Sequence, residues 1–448
     1  MQVPNIINHL KLFNFMVTTN IGRIFLQAYN AKYNKNYTAR EFFDEVFYPL
    51  VFDANKYLQW VQNSPFVQMK AKQKVETLTS QERIEKLDEF HQKIAAGNQD
   101  ASVALGYAAS EEKGFATTSG QVTNMKIMVT QEDVYLSWIG SGLGLGVKGG
   151  ISILFDNPDL LLDIFEGWKY YRKKVDENIL LKGNQLTSAW NAQWLTHRYS
   201  KVFNPNNPFA NFFPDEEKNG IWGIEPQSWT HLLIGICRHY EQPKLMGYVY
   251  GFGQMNTTIG FIPFVLSQIR YMFELYERLF QMRSDDAEKL WGTAFGLQKA
   301  CQSGVIGIRA MEPKGLEDYI SAKKSPKYKK DDINQTILFN TYITWIIAML
   351  NNEELWAKAL KFATVLQNFS MGNKQGKTLN SRKVDEVIKA TNKMSFINSL
   401  VDIVSRCADS EAISEIASVV NTMPTENVPY FLTLVRFQYA KINNNQNK

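Results

Sequence analysis

The chain has 448 residues, of which 45% are hydrophobic and 21% are charged, so its composition is that of a folded protein with about two or three hydrophobic cores and excludes a small stapled scaffold or a mostly disordered chain. Its 49 basic and 44 acidic residues give a net charge of +5, which suits an anionic partner without requiring one. Three distant cysteines predict neither disulfides nor a zinc site and fit a cytoplasmic protein, and no apolar run reaches the roughly 20 residues that span a membrane.

The chain begins with predicted helices. Thr38 and Glu41 have the spacing of a capping box, which opens a helix with an apolar side. An amphipathic pattern predicts another helix over residues 80–95. Residues 116–120, rich in glycine, serine and threonine, then indicate a loop.

A β region follows. Residues 125–129 and 134–139 are rich in strand-forming residues on either side of a turn-like segment, so we expect a hairpin, with a third strand over 151–155. Asn157-Pro158 then predicts a helix start, because asparagine is a favoured cap and proline suits the first helical position; this helix extends towards Lys174.

The middle of the chain has a mixed pattern. Residues 203–226 contain four prolines and are predicted to form an ordered surface loop. Residues 305–310 resemble a last short strand. Four helices are predicted around them, over residues 185–199, 226–240, 263–282 and 285–301.

A basic, proline-containing stretch near residue 321 marks the predicted domain boundary. We expect a mixed α/β domain over 1–320, a basic linker over 321–332 and an all-α helical bundle over 333–448. The predicted fold class is therefore α+β: mainly helical, with a small β-sheet in the first domain. The bundle helices are predicted over 333–350, 355–369, 381–408, 410–420 and 428–442.

Six of the eleven residues from Gly140 to Gly150 are glycine. Such a run allows a ligand to approach the backbone closely, and Lys148 adds one cation. A Rossmann or Walker loop is excluded because the required helix and the Gly-Lys-Ser/Thr sequence are missing. The alternatives are a plain hairpin turn and a nucleic-acid contact, for which the candidates are Gly144, Gly146, Lys148 and Gly149.

Residues 168–201 carry seven basic residues against two acidic ones, interleaved with six aromatic residues. Cations at three- and four-residue spacing on one helical face can contact successive phosphates, whereas the plainer interpretation is a solvated face with its tryptophans in the core. A turn with amide side chains is a weaker candidate for reading base edges. The candidate nucleic-acid-binding residues are Lys169, Arg172, Lys173, Lys174, Lys182, Asn184, Gln185, Arg198 and Lys201.

The linker holds a second basic cluster. It is first interpreted as a solvated linker, and it would extend the nucleic-acid track if residues 168–201 bind. Its members are Lys323, Lys324, Lys327, Lys329 and Lys330, of which Lys323 and Lys324 are candidate contacts.

Enzyme chemistry has one candidate. The five histidines are scattered, and no serine or cysteine lies in a nucleophile motif. Asp286, Glu312 and Lys314 follow the loose D…ExK order of magnesium-dependent nucleases, but Pro313 interrupts the strand that this geometry needs.

A mixed α/β region with a glycine-rich loop and a basic aromatic tract, followed by a helical bundle, resembles the large subunit of type I CRISPR surveillance complexes (Cascade). The resemblance implies a subunit that needs no cofactor and is not a nuclease. It would recognise the protospacer-adjacent motif in double-stranded DNA, aid unwinding, and assemble with guide RNA and other subunits.

By this likeness, the loop from Gly140 to Gly150 would inspect DNA, and Lys169, Arg172, Lys173 and Lys174 would hold the duplex backbone. The zinc-binding CxxC pair of some relatives is missing here. The alternatives are a restriction-type endonuclease that uses Asp286, Glu312 and Lys314, and an interaction scaffold without nucleic-acid contact.

Overall fold

The structure of the protein is a computed structural model, which describes residues 17–55, 66, 69–96, 130–178, 180–181, 187–251, 257–372 and 377–446. The chain forms two compact units, Met1–Phe264 and Val265–Lys448. It is mainly helical with a small antiparallel sheet, which confirms the predicted α+β class.

The described helices of the first unit surround an aromatic core. Most predicted helices of this unit are present, and Thr38 and Asn157 cap their helices as predicted. A π-helical turn, Phe43–Phe47, joins α2 to α3. The helices are Val17–Tyr33 (α1), Ala39–Phe42 (α2), Tyr48–Val51 (α3), Ser80–Ala95 (α4), Gln131–Gly142 (α5), Pro158–Glu177 (α6), Thr187–Arg198 (α7) and Trp229–His239 (α8).

The predicted hairpin over 125–129 and 134–139 is wrong in its second strand, which lies within helix α5, while its first strand lies outside the described residues. The turn-like segment before it is a capping box between Thr130 and Asp133. Nine of the 12 residues of α5 are buried. A helix that is buried on all sides lacks the 3.6-residue alternation, so its apolar run resembled a strand.

Helices α1 and α5 cross at two glycines. A Cβ atom on Gly22 would lie 1.9 Å from the Leu136 carbonyl oxygen, and one on Gly140 would lie 1.9 Å from that of Thr18. Because no side chain fits at this distance, the first glycine of the run from Gly140 to Gly150 serves helix packing.

The main sheet has four antiparallel strands in the order β1-β2-β5-β6. The third predicted strand, 151–155, is confirmed as β2, whereas β5 and β6 were not predicted. Residues 203–226, predicted as a loop, also contain the hairpin of β3 and β4. The strands are Leu145–Val147 (β1), Ile151–Phe155 (β2), Asp215–Lys218 (β3), Ile221–Ile224 (β4), Leu245–Gly251 (β5) and Thr257–Phe264 (β6).

The described part of the second unit is helical, with two 3-10 turns, Ser284–Ala287 and Ile308–Met311. The predicted strand over 305–310 is therefore wrong. The predicted helix 381–408 is two helices, because Asn392 caps a new one. The helices are Leu266–Phe280 (α9), Leu297–Cys301 (α10), Leu316–Ile320 (α11), Ile333–Leu350 (α12), Glu354–Ser370 (α13), Lys377–Lys389 (α14), Lys393–Val404 (α15), Ser410–Thr422 (α16) and Val428–Gln446 (α17).

The division between the units falls at Phe264 and Val265, not at the linker predicted over 321–332. Residues that precede this linker hydrogen-bond to the bundle: the Trp345 indole donates to the Ile308 carbonyl, and Tyr342 donates to that of Lys314. Arg436, which is 3% exposed, likewise donates to the Tyr319 carbonyl. The basic stretch is therefore a loop within the second unit.

Helix α12 is the one helix among the described residues that has the length and hydropathy to cross a membrane. Within the unit, 61% of it is buried. Burial of this extent is typical of a core helix of a water-soluble protein.

Candidate nucleic-acid interface

The glycine run divides into a buried part and an exposed tip. A Cβ atom on Gly144 would lie 2.7 Å from the Tyr250 hydroxyl, and one on Gly146 would lie 2.6 Å from the Ser188 hydroxyl. Both glycines are buried and allow close packing inside the unit. Gly149, with φ of 97°, lies in the exposed turn between β1 and β2. Only this turn is accessible to a ligand.

Lys148, the cation of this turn, is already paired. Its ammonium lies 3.2 Å from the carboxylate of Glu225, and its backbone N–H donates to the Gln227 carbonyl at 2.9 Å. The hydrogen bond from Lys218, together with Lys148, lowers the pKa of Glu225 to about 2. The charge of Lys148 thus helps to hold the turn in place.

Three of the four basic residues of α6 pair with carboxylates within the unit. Arg172 and Lys173 pair with the carboxylates one helical turn further on, Asp176 at 3.2 Å and Glu177 at 3.9 Å. The Lys174 ammonium lies 3.0 Å from Asp215. These pairs reduce the positive charge that α6 presents to an anionic partner.

Lys169 and Lys173 also lie near aromatic rings. Their ammonium nitrogens are 6.0 Å and 5.5 Å from the ring centroids of Tyr33 and Phe209. Both lysines remain exposed. They are the most accessible candidates on α6.

Arg198 has a structural role. Its guanidinium contacts Asp163 at 2.7 Å and Glu166 at 2.9 Å. Asp163 is 8% exposed and also accepts hydrogen bonds from the hydroxyls of Tyr199 at 2.6 Å and Tyr240 at 3.3 Å. This network joins α6, α7 and the end of α8. Lys201 is exposed, and Lys182, Asn184 and Gln185 lie outside the described residues.

The aromatic residues interleaved with these cations belong to the core. Trp168, Trp190 and Trp194 are at most 1% exposed, and each indole N–H donates to a group inside the unit. Tyr171 is 2% exposed. These rings are inaccessible to nucleobases, in agreement with the plainer interpretation that the tryptophans lie in the core.

The second basic cluster differs. Residues 321–332, which we call the lysine loop, carry four exposed lysines that have no carboxylate within ion-pair distance in the described parts of the chain: Lys323, Lys327, Lys329 and Lys330. Lys324 alone pairs, with Asp318 at 2.7 Å. The sequence pattern indicated all five lysines as a basic cluster, but it favoured residues 168–201 as the main nucleic-acid-binding site.

The lysine loop is held by contacts within its own unit. The Tyr328 and Phe339 ring centroids are 5.0 Å apart. The Lys329 carbonyl accepts hydrogen bonds from the backbone N–H of Asp332 at 3.3 Å and from the Thr336 hydroxyl at 3.2 Å. Asp332 caps α12 by accepting from Gln335. A loop fixed in this way loses little conformational entropy on binding.

The nuclease candidates lack the expected support. Glu312 follows a 3-10 turn instead of a strand, and burial is the main cause that raises its pKa to about 7. The charge of Glu317 raises this pKa further, whereas the charges of Arg309 and Lys299 lower it. Among the described residues, no group of three or more His, Cys, Asp or Glu is arranged to hold a metal ion.

Comparisons of the chain with protein-family models, curated proteins and solved structures gave no match.

Proposed function

We propose that this chain binds nucleic acid through the phosphate backbone and that the lysine loop is its main contact surface. The observation that carries the proposal is the exposure of four lysines, Lys323, Lys327, Lys329 and Lys330, without carboxylates within ion-pair distance in the described structure. Lysines contact phosphates as point charges and release counterions on binding, so they give affinity without sequence preference.

The more specific proposal is a non-catalytic, cytoplasmic large subunit of an RNA-guided CRISPR complex that needs no cofactor. Support comes from the order of an α+β unit followed by a helical unit. In such a complex, guide pairing reads the sequence and this chain contacts duplex DNA and partner subunits. The exposed turn at Lys148 and Gly149 and the accessible Lys169 and Lys173 are secondary candidate contacts.

The test measures binding of the full chain to random duplex DNA across a salt series, without added metal. Each phosphate contact contributes about 0.9 to the slope of log affinity against log salt, so glutamine at the four lysines should flatten the slope by up to about 3.6. The variant is K323Q/K327Q/K329Q/K330Q.

A control variant removes the same number of charges from lysines that already pair with carboxylates: K70Q/K218Q/K358Q/K361Q. Its slope should remain near that of the wild type. Equal slopes for the wild type and the loop variant would contradict the proposal. Magnesium-dependent cleavage that is lost in Glu312→Ala would instead support the endonuclease alternative.

A further inference from the structure

A cavity of about 410 Å³ lies in the second unit beside the first turns of α9, the 3-10 turn Ile308–Met311 and the end of α12. This volume is in the range of small-molecule sites, and the site is open to solvent, since four of its lining residues, Ser267, Gln268, Arg309 and Asn351, are exposed. Its polar lining comes from Ser267, Gln268, Tyr271, Arg309 and Asn351. No sequence motif indicated these residues.

The segment that carries Arg309 is fixed from two sides. The Trp345 indole donates to the Ile308 carbonyl at 2.8 Å, and the Gln268 side-chain oxygen accepts from the Ile308 N–H at 3.3 Å. A Cβ atom on Gly307 would lie 2.2 Å from that same oxygen. These contacts fix the backbone next to Arg309 at the cavity, so this segment loses little conformational entropy on binding.

The charge of Arg309 is not neutralised by an ion pair. Arg309 is exposed, and in the described structure no carboxylate lies within ion-pair distance of it. Glu353, which accepts from Tyr271 of the lining at 2.9 Å, is also bound by Arg278 at 2.6 Å and 2.7 Å. Burial raises the pKa of Glu312 to about 7, so this neighbour is only partly charged at neutral pH.

We propose that this cavity binds a nucleoside monophosphate. The phosphate pairs with the guanidinium of Arg309, whose planar set of donors matches phosphate oxygens, and accepts from the Ser267 hydroxyl. The side-chain NH2 of Gln268, whose oxygen already accepts from Ile308, and the side-chain amide of Asn351 supply hydrogen bonds for a base. The site goes beyond the proposed function, because it uses no residue of the lysine loop.

The apolar lining supplies a surface for the sugar and base. It consists of Ile308 and Met349, with Ala348, which is 1% exposed, beneath them. Inorganic phosphate would leave this surface uncovered, and a nucleoside without phosphate would leave Arg309 unpaired. The cavity therefore suits a ligand with both parts.

The experiment measures binding of AMP, GMP, CMP and UMP to the full chain by calorimetry, with adenosine and inorganic phosphate as partial ligands. Loss of a charged hydrogen-bond donor in Arg309→Gln should weaken binding about tenfold or more, and Arg309→Lys should weaken it less. Arg406→Gln is the matched control, since Arg406 is another exposed arginine of this unit that forms no ion pair with a described residue.

At least one monophosphate should bind at millimolar concentration or below, more tightly than adenosine or phosphate. Arg406→Gln should bind it as the wild type does. No binding of any monophosphate, equal weakening in Arg309→Gln and Arg406→Gln, or equal affinity for phosphate and AMP would each overturn the proposal. Duplex binding by Arg309→Gln should match the wild type, so the two proposals can fail separately.

Discussion

The basic stretch on α6 and the lysine loop are both rich in basic residues, but they differ in how much of that positive charge is paired with carboxylates. On α6, Arg172 and Lys173 face acidic residues four positions later, so the helix itself brings each cation to a carboxylate. In the lysine loop, Asp332 is engaged as a helix cap, and in the described structure no carboxylate lies within ion-pair distance of Lys323, Lys327, Lys329 and Lys330. Acidic residues are close in the sequence in both regions, so a basic run keeps its positive charge available to an anionic partner only where the fold leaves its cations outside ion-pair distance of those carboxylates.

The largest expected effect concerns Arg198, a candidate contact that the structure places in a buried network. Asp163→Asn should lower the free energy of unfolding by about 3 kcal/mol, because it leaves Arg198 and two buried tyrosine hydroxyls poorly paired. Urea denaturation measures the change. Asp176→Asn, in an exposed pair, should cost less than about 1 kcal/mol. Equal destabilisation by Asp163→Asn and Asp176→Asn would contradict the structural role assigned to Arg198.

A smaller effect is expected at Glu225, which holds the Lys148 turn. Its folded pKa of about 2 lies below the ordinary 4.5, so the stabilisation is complete above pH 4.5 and is lost as the pH falls towards 2. Glu225→Gln should cost about 1 kcal/mol at pH 7, because the site is partly exposed and screened.

This difference between wild type and Glu225→Gln should shrink on acidification, which thermal unfolding at several pH values would reveal. Glu177→Gln, at a longer and more exposed pair, is the control and should change little. A pH-independent difference would contradict the assigned ion pair.

The smallest effect is expected when α6 is made to resemble the lysine loop, with cations that have no carboxylate partner. D176N/E177Q removes the partners of Arg172 and Lys173 and should increase duplex affinity about threefold, with a salt slope steeper by about 1. The control E76Q/E85Q removes two exposed acids without an ion pair in the described structure. If both variants gain equally, only net charge is involved.

Local signals in the sequence predicted much of the fold. The capping residues Thr38 and Asn157 and the amphipathic helix 80–95 are confirmed because each depends on neighbours in the chain. Helix α5 was missed because tertiary burial removes its periodicity. Strand β6 was missed as well. The sequence predicted that a helix begins at residue 263, whereas Pro263 belongs to β6, which lies at the edge of the sheet, where a proline is tolerated.

The candidate site was less predictable. The four-residue spacing from Arg172 to Asp176 was visible in the sequence and predicts the observed pair. The pairs of Lys148 with Glu225 and Arg198 with Asp163 join residues distant in the chain. No local pattern contains that information, and the same is true of the cavity at Arg309.

The most direct test of the central claim is lysine acetylation of the full chain with and without duplex DNA, read by mass spectrometry. One measurement compares every lysine in the same molecule. We expect DNA to protect Lys323, Lys327, Lys329 and Lys330, while Lys70 and Lys361, paired on other surfaces, react equally in both samples. Protection of Lys169 and Lys173 without protection of the loop would contradict the claim.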